Sequence, residues 1–479
     1  MKTKNTTQGG YEVGQNDRWP LPTELPLADE QLPPVIRELV SIAPANRKIH
    51  SLIACLAPLA MLSTRVRFWV DAETRKKDAI LLQVILEGEA GIGKSFVADI
   101  ERTIMHDVVD LRDKKQREAE QEYRERKSAA GDNPIAPPPK AIILQIPPST
   151  SKNEIVRHAG MFERVLGAPL TMWLFSEELA TMVDATKTGY SDLHTVLRVA
   201  YDLNSKYGQD FASYNSYTGI VHVMICMMFT TTPIDTDNFM TRESVSGGNS
   251  NRLIFCPIKD PPGARPAKFK RLTDQQQQTI SAMVKQMFDN ILNEQQEVQP
   301  EWELDLSWLN DDIEQWIEES CLKVEQMYKL CDPYYRALDS FRKRASKNAE
   351  RCAALCYYLY QLELGREAAS SETIRGHCRT LYRFLTRYIL NALMERWADD
   401  YIEYFVKRER GARVGKKYSL YEQMPDTFTR EELKMHIERI GYRTDARFMI
   451  AQWKEAGRIC EVAKFVYTKC KEESVKRKE

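Results

Sequence analysis

Residues 88–95 read GEAGIGKS, and this loop decides the fold. Gly88, four intervening residues, then Gly93, Lys94 and Ser95 match the phosphate-binding pattern G-x-x-x-x-G-K-[ST]. Glycines at 88, 91 and 93 let backbone N–H groups turn inward around phosphates. Lys94 is expected to reach the β- and γ-phosphates, and the Ser95 hydroxyl to bind Mg²⁺. Phe96 follows at the start of the next element and is counted with the nucleotide-binding residues.

The flanks suit the motif. AILLQVILE (79–87) is a mostly apolar run that predicts a buried strand. SFVADIERTIMHDVV (95–109) predicts a helix with Phe96, Ile100, Ile104 and Val108 roughly on one face. Strand, glycine loop and helix is the order the chemistry needs, because a helix N-terminus also favours phosphate charge.

Composition sets limits around this centre. The length of 479 residues suggests about two or three domains. Lys plus Arg and Asp plus Glu each number 68, so any nucleic-acid surface must be a local patch. The ten cysteines lack paired short spacings. Cys352, Cys356 and Cys378 fit either a metal site or buried thiols, and the thiols are favoured. A reducing cytoplasm is the expected location. No signal peptide is visible. The longest apolar run, SLIACLAPLAMLS (51–63), is too short to cross a bilayer, so no membrane partner is expected. It predicts a core helix kinked or broken at Pro58.

Strands are also predicted at RVRFWVD (65–71), AIILQIPP (141–148), in the stretch 207–233 and at LIFCPI (253–258). Alternation with helices argues a parallel α/β sheet. DLRDKKQREAEQEYRERK (110–127) predicts a solvated charged helix, ended by the prolines at 137–139. The expected organisation is a flexible arm (1–30), an N-terminal helical segment (31–75), a P-loop core (76–272), a helical lid (273–405), a basic linker (406–419) and a tail domain (420–479).

A phosphate loop needs a partner strand that ends in carboxylates. MWLFSEE (172–178) supplies it. Glu177 is expected near Mg²⁺ through water, and Glu178 as the general base that polarises the attacking water. Another strand exits through TTTP (230–233), where Thr230 and Thr232 are either candidate sensors of the γ-phosphate or simply a threonine-rich strand exit. Arg252 stands directly before the predicted strand 253–258. It serves either as an arginine finger on a neighbour's nucleotide or as a surface salt bridge, with Arg242 in reserve. Arg351, before the apolar run CAALCYYL, is a candidate second sensing arginine or an arginine on a solvated face. No N-K-x-D motif is visible, so ATP is preferred to GTP.

In order, LPPVIRELVSIAP (32–44), STRVRFWVD (63–71), GEAGIGKS, Glu178-Leu179, Tyr207 to Asp210, Thr230 to Pro233 and Arg252 resemble a P-loop ATPase family of bacterial mobile genetic elements. That family has long been catalogued as a domain of unknown function. The resemblance covers roughly residues 30–400. The family is similar in layout to superfamily 3 and minichromosome-maintenance-type helicases. The resemblance implies an AAA+ ring, hexameric, with ATP and Mg²⁺ as cofactors, that moves on DNA to replicate or mobilise its element.

The tail adds a DNA argument of its own. TREELKMHIERI (429–440) opens with a capping box, Thr429 and Glu432. A second helix (444–457) and two short strands around Ala463-Lys464 complete a winged-helix pattern. Arg443, Arg447, Lys454 and Arg458 are positioned for phosphate contacts, or the module serves protein contacts. Lys407, Arg408, Arg410, Arg413, Lys416 and Lys417 form the densest basic patch, either a DNA contact or a solvated linker. Lys206 and Tyr207 open a candidate pore hairpin (206–219) whose aromatics stack on bases or pack on the sheet. The whole reads as an α/β P-loop NTPase core with a helical lid and a C-terminal winged helix. Its expected function is that of an ATP-driven DNA helicase or translocase. The alternative is an NTP-switched regulatory or defence ATPase that binds a protein partner.

Overall fold

A computed structural model describes residues 18–130, 141–180, 182, 193–210, 218–411, 420–439, 445–455 and 458–470. Its strands are β1 (Val66–Trp69), β2 (Asp78–Ala79), β3 (Gln83–Gly88), β4 (Gln145–Ile146), β5 (Thr171–Ser176), β6 (Lys206–Gln209), β7 (Gly219–His222), β8 (Met224–Thr231), β9 (Leu253–Ile258), β10 (Trp302–Asp305), β11 (Thr427–Thr429), β12 (Ile459–Ala463) and β13 (Val466–Lys469).

Five of these strands form one sheet in the order β4-β5-β8-β3-β9, and every pairing in it is parallel. Every residue of β3, β8 and β9 is buried. Continuous apolar strands of this kind belong to a sheet covered on both faces. The helix Lys48–Leu62 is part of that cover, and all but two of its side chains are buried. It runs unbroken through Pro58, contrary to the expected break. Burial of nearly every side chain offsets the one backbone bond that proline removes.

The helix after the glycine loop, Phe96–Met105, passes through a π-turn at His106–Asp110 into a second helix, Leu111–Ala130. This charged helix is not simply solvated. The Asp113 carboxylate is buried and accepts the N–H groups of Leu144 (2.7 Å) and Gln145 (2.6 Å). Arg112 donates to the Ile142 carbonyl (2.7 Å). The helix therefore satisfies backbone at the sheet's β4 edge.

The segment 273–405 is mostly helical, but it contains β10. That strand pairs in parallel with β1, while β2 pairs antiparallel on β1's other side. A four-residue strand is too short for its alternation to stand out among helices. By its contacts the chain forms two compact units, Met1–Glu318 with Ser340–Trp397 and Glu319–Asp339 with Ala398–Glu479. These cut across the boundaries expected at 272 and 405. The last long helix, Glu372–Gly411, also continues into the expected basic linker.

In the second unit, β11, β13 and β12 form an antiparallel sheet in that order. The helices Arg430–Arg439 and Ala446–Glu455 pack with it around Phe428, Leu433, Ile450, Trp453 and Tyr467. The capping box is present: Thr429 N–H meets Glu432 Oε2 at 2.7 Å, and Glu432 N–H meets Thr429 Oγ1 at 3.1 Å. The hairpin turns at Lys464-Phe465, where Phe465 has a φ of 67°.

Candidate active site

Parallel strands bring all their C-terminal ends to one edge, where α/β sheets bind ligands. Here Gly88 ends β3, Thr231 ends β8 and Ser176 ends β5. The register sets Leu86 beside Thr230 and Ser176 beside Phe229. Glu177 thus emerges next to Thr230, whose hydroxyl donates to the Glu177 carbonyl (2.5 Å). The glycine loop, the threonine exit and the carboxylate pair occupy three adjacent strand ends.

The loop uses its glycines. Gly91 and Gly93 have φ of 80° and 82°, a region side chains avoid. A Cβ on Gly88 would come within 2.9 Å of Ile92 Cγ2 and 3.2 Å of the Ile258 carbonyl. Lys94 Nζ donates to the carbonyls of Gly88 (2.5 Å) and Thr231 (2.8 Å). Among the described residues no carboxylate lies within ion-pair distance of it. Partial burial lowers its pKa, opposed by Glu89, Asp235 and Glu87. A cation held only by carbonyl dipoles fits an anionic ligand. Ser95 is exposed at the start of its helix, and Glu177 and Glu178 are exposed. Ser95 and Glu177 are the oxygen donors suited to Mg²⁺, which accepts oxygen ligands and keeps several waters. The Phe96 side chain is buried and stacks on Phe269 at 5.0 Å, so only its backbone belongs to the loop.

Thr232 takes a different role from the expected sensor. Its hydroxyl accepts the Asp235 N–H (3.4 Å) and donates to the Asp235 carboxylate (2.8 Å), capping the helix Pro233–Phe239. Thr230 is the hydroxyl that touches the acidic strand.

Two groups at this edge carried no sequence signal. Arg396, on the helix Glu372–Gly411, places Nε 3.0 Å from Glu87 and Nη2 2.6 Å from Asp237. Glu87 directly precedes the loop, and burial raises its pKa despite Arg396. The partners lie 309 and 159 residues away in sequence, so no local pattern announces them. Behind the loop, Trp173 Nε1 donates to the buried Glu101 carboxyl (2.8 Å). This bond ties the strand that leads into Glu177 to the helix that starts at Phe96. Burial pushes Glu101 up to about 7.

The expected arginines lie elsewhere. Leu253 pairs with Gln83, so Arg252 stands at the N-terminal edge of the sheet, away from Lys94. Arg252 donates to the Gly248 carbonyl (2.7 Å) and lies over the Tyr201 ring at 5.7 Å. Arg351 is neither a sensor nor a solvated arginine. It is fully buried, paired with Asp78 (3.0 Å), bonded to the Leu81 carbonyl (2.9 Å) and stacked on Tyr201 at 4.1 Å. Leu81 precedes β3, so this arginine also belongs to the far edge. Arg242 is exposed at the start of the helix Arg242–Ser246.

Lys206 is exposed on β6, which pairs antiparallel with β7. Tyr207 is half-buried under Lys152, at 5.8 Å. The hairpin's residues 211–217 lie outside the described residues, as do Arg413, Lys416, Lys417 and Arg443. The backbone of Lys407, Arg408 and Arg410 is helical, and their side chains are outside the description. Arg447 is exposed. Lys454 is paired with Glu461 and stacks over Tyr467 at 5.0 Å. Cys352, Cys356 and Cys378 are buried free thiols. No described helix is long and apolar enough to cross a membrane.

Compared with protein-family models and with curated proteins, the chain matches none.

Proposed function

We propose that the edge at residues 88–95 binds and hydrolyses ATP with Mg²⁺, and that the chain is a ring-forming DNA helicase or translocase of a mobile genetic element. One observation carries this reading. The glycine loop, Thr230 and the Glu177–Glu178 pair end three neighbouring parallel strands, β3, β8 and β5. A P-loop hydrolase needs that convergence of phosphate cradle, polar sensor and base.

The roles follow from position. Bound ATP supplies the phosphoanhydride bond, and Mg²⁺ offsets charge on its phosphates. Loop N–H groups and Lys94 hold the phosphates. Ser95 and Glu177 orient the metal's coordination shell. Glu178 accepts a proton from the attacking water. Thr230 holds the end of the acidic strand in register. Arg252, at the opposite sheet edge, reaches a nucleotide only across a subunit interface, which is the use a closed hexamer makes of such a residue. The second unit's helix, helix and hairpin, with Arg447, Lys454 and Arg458, supports a winged helix on DNA. The β6–β7 hairpin with Lys206 and Tyr207 supports a DNA contact in the ring's channel. A cytoplasmic location goes with this role.

A second reading has its own support. Phe448 and Met435, on the second unit's two helices, are each 62 % exposed. Large apolar side chains on a presented surface suit a protein partner, as in an NTP-switched regulatory or defence ATPase.

Steady-state ATP hydrolysis with and without single-stranded DNA separates the two, with Lys94→Ala as the control. Stimulation that vanishes in the variant supports the motor. Hydrolysis indifferent to DNA favours the switch.

A further inference from the structure

A second polar cleft, of about 460 Å³, opens on the outer sheet of β10, β1 and β2, away from the glycine loop. Its walls are β10 and the turn after it, the helix Tyr335–Leu364, and the segment that leads into the helix Glu372–Gly411. Two guanidiniums line it. Arg366 lies over the Trp302 ring at 4.2 Å and has no ion-pair partner among the described residues. Arg375 likewise has no ion pair there, and its buried Nε–H has no hydrogen-bond partner.

The carboxylates of the cleft do not cancel this charge. Glu303 is paired with Lys77. Asp305 accepts the Ser307 N–H at 2.8 Å and keeps its negative charge, which offsets only one of the two guanidiniums. Neutral hydroxyls stand beside the arginines. Ser370 Oγ and the Tyr357 hydroxyl lie 3.1 Å apart, and Ser307 lines the same wall. Trp308, edge-on to Tyr357 at 5.3 Å, adds a flat apolar side.

We propose that this cleft is a binding site for a phosphate dianion, free or as the monoester of a small molecule. Arg366 and Arg375 supply charge-assisted donors, and the Ser307 hydroxyl supplies a neutral one. Terminal phosphate oxygens accept several such bonds at once, and planar guanidiniums match them best. The organic part of an ester rests against Trp308. The site is separate from the hydrolytic edge, and its occupancy does not depend on Lys94.

The test uses the full chain carrying Lys94→Ala, which weakens phosphate binding at the glycine loop. Calorimetric titration with inorganic phosphate and with adenosine 5′-monophosphate is expected to give one saturable site. Arg366→Gln and Arg375→Gln are each expected to weaken it at least tenfold. Arg366 is exposed, so its variant keeps the parent's melting temperature and guards against loss of fold. Tighter binding of the nucleotide supports the monoester, and equal binding supports free phosphate. No saturable binding of either probe, or affinity unchanged in both glutamine variants, overturns the proposal.

Discussion

Lys94 Nζ lies 2.8 Å from the carbonyl oxygen of Thr231, so the only cation of the glycine loop bridges the ends of β3 and β8. Its bonds are to neutral carbonyls, and partial burial lowers its pKa. A bound phosphate replaces these dipoles with full negative charge. A hydrogen bond to a charged group contributes about 1.5–3 kcal/mol. Lys94→Ala is therefore expected to weaken MgATP binding about ten- to a hundredfold and to reduce hydrolysis to background. Binding measured with a fluorescent ATP analogue checks the first, and phosphate release the second. Full hydrolysis in the variant would remove the loop from the chemistry.

Arg396 is another cation at this edge, and its partner Glu87 is buried. Removing one member of a buried pair leaves the other charge uncompensated, at a cost of about 3 kcal/mol. Arg396→Ala is expected to lower stability by that order in urea unfolding. Adding Glu87→Gln should recover much of the loss. The double-mutant cycle then gives a coupling on the order of 1–3 kcal/mol. Additive single effects would show that the two residues act independently.

Glu101 makes stability depend on pH near neutrality. Burial raises its pKa from 4.5 to about 7 in the folded chain. Between those values the folded state holds the proton and the unfolded state does not. Stability therefore falls as pH rises from 4.5 to about 7, and the penalty is complete above the folded value. Its size is on the order of 3 kcal/mol. Glu101→Gln keeps an acceptor for the Trp173 N–H and cannot ionise. It is expected to stabilise the chain at pH 8 and to leave stability at pH 5 nearly unchanged. A melting curve equally shifted at both pH values would assign the effect to packing.

The parts legible in the sequence were those written in contiguous residues. GEAGIGKS, the apolar run before it and the capping box at Thr429 each carry their structure in a few neighbours. The carboxylate strand was legible for the same reason, because MWLFSEE becomes β5 with its acids just past the end. Long-range contacts were not. Arg351 has the same local setting whether it senses a nucleotide or is buried against Asp78, and only the fold chooses. Arg396 sits beside Trp397 on a long helix, and nothing near it points to Glu87. Thr232 followed by Pro233 was a helix cap in plain view, since a cap before proline at the first helical position is a familiar start. The appeal of a strand-end threonine obscured it.

Arg252 allows a test of assembly that no single-site assay gives. It stands at the sheet edge opposite Lys94, so in a ring it can serve only a neighbour's nucleotide. Lys94→Ala and Arg252→Ala are each expected to be inactive alone. In a mixed ring, some interfaces are expected to set a subunit with Lys94 against a neighbour with Arg252. Random assembly at equal amounts makes about a quarter of the interfaces competent, for any ring size. ATP hydrolysis in the mixture should thus rise well above either variant, and dilution below the assembly concentration should abolish it. A mixture that stays as inactive as its parts, while mass photometry shows mixed rings, would place the role of Arg252 in its own subunit. Its contacts with Tyr201 and Gly248 would then be purely structural.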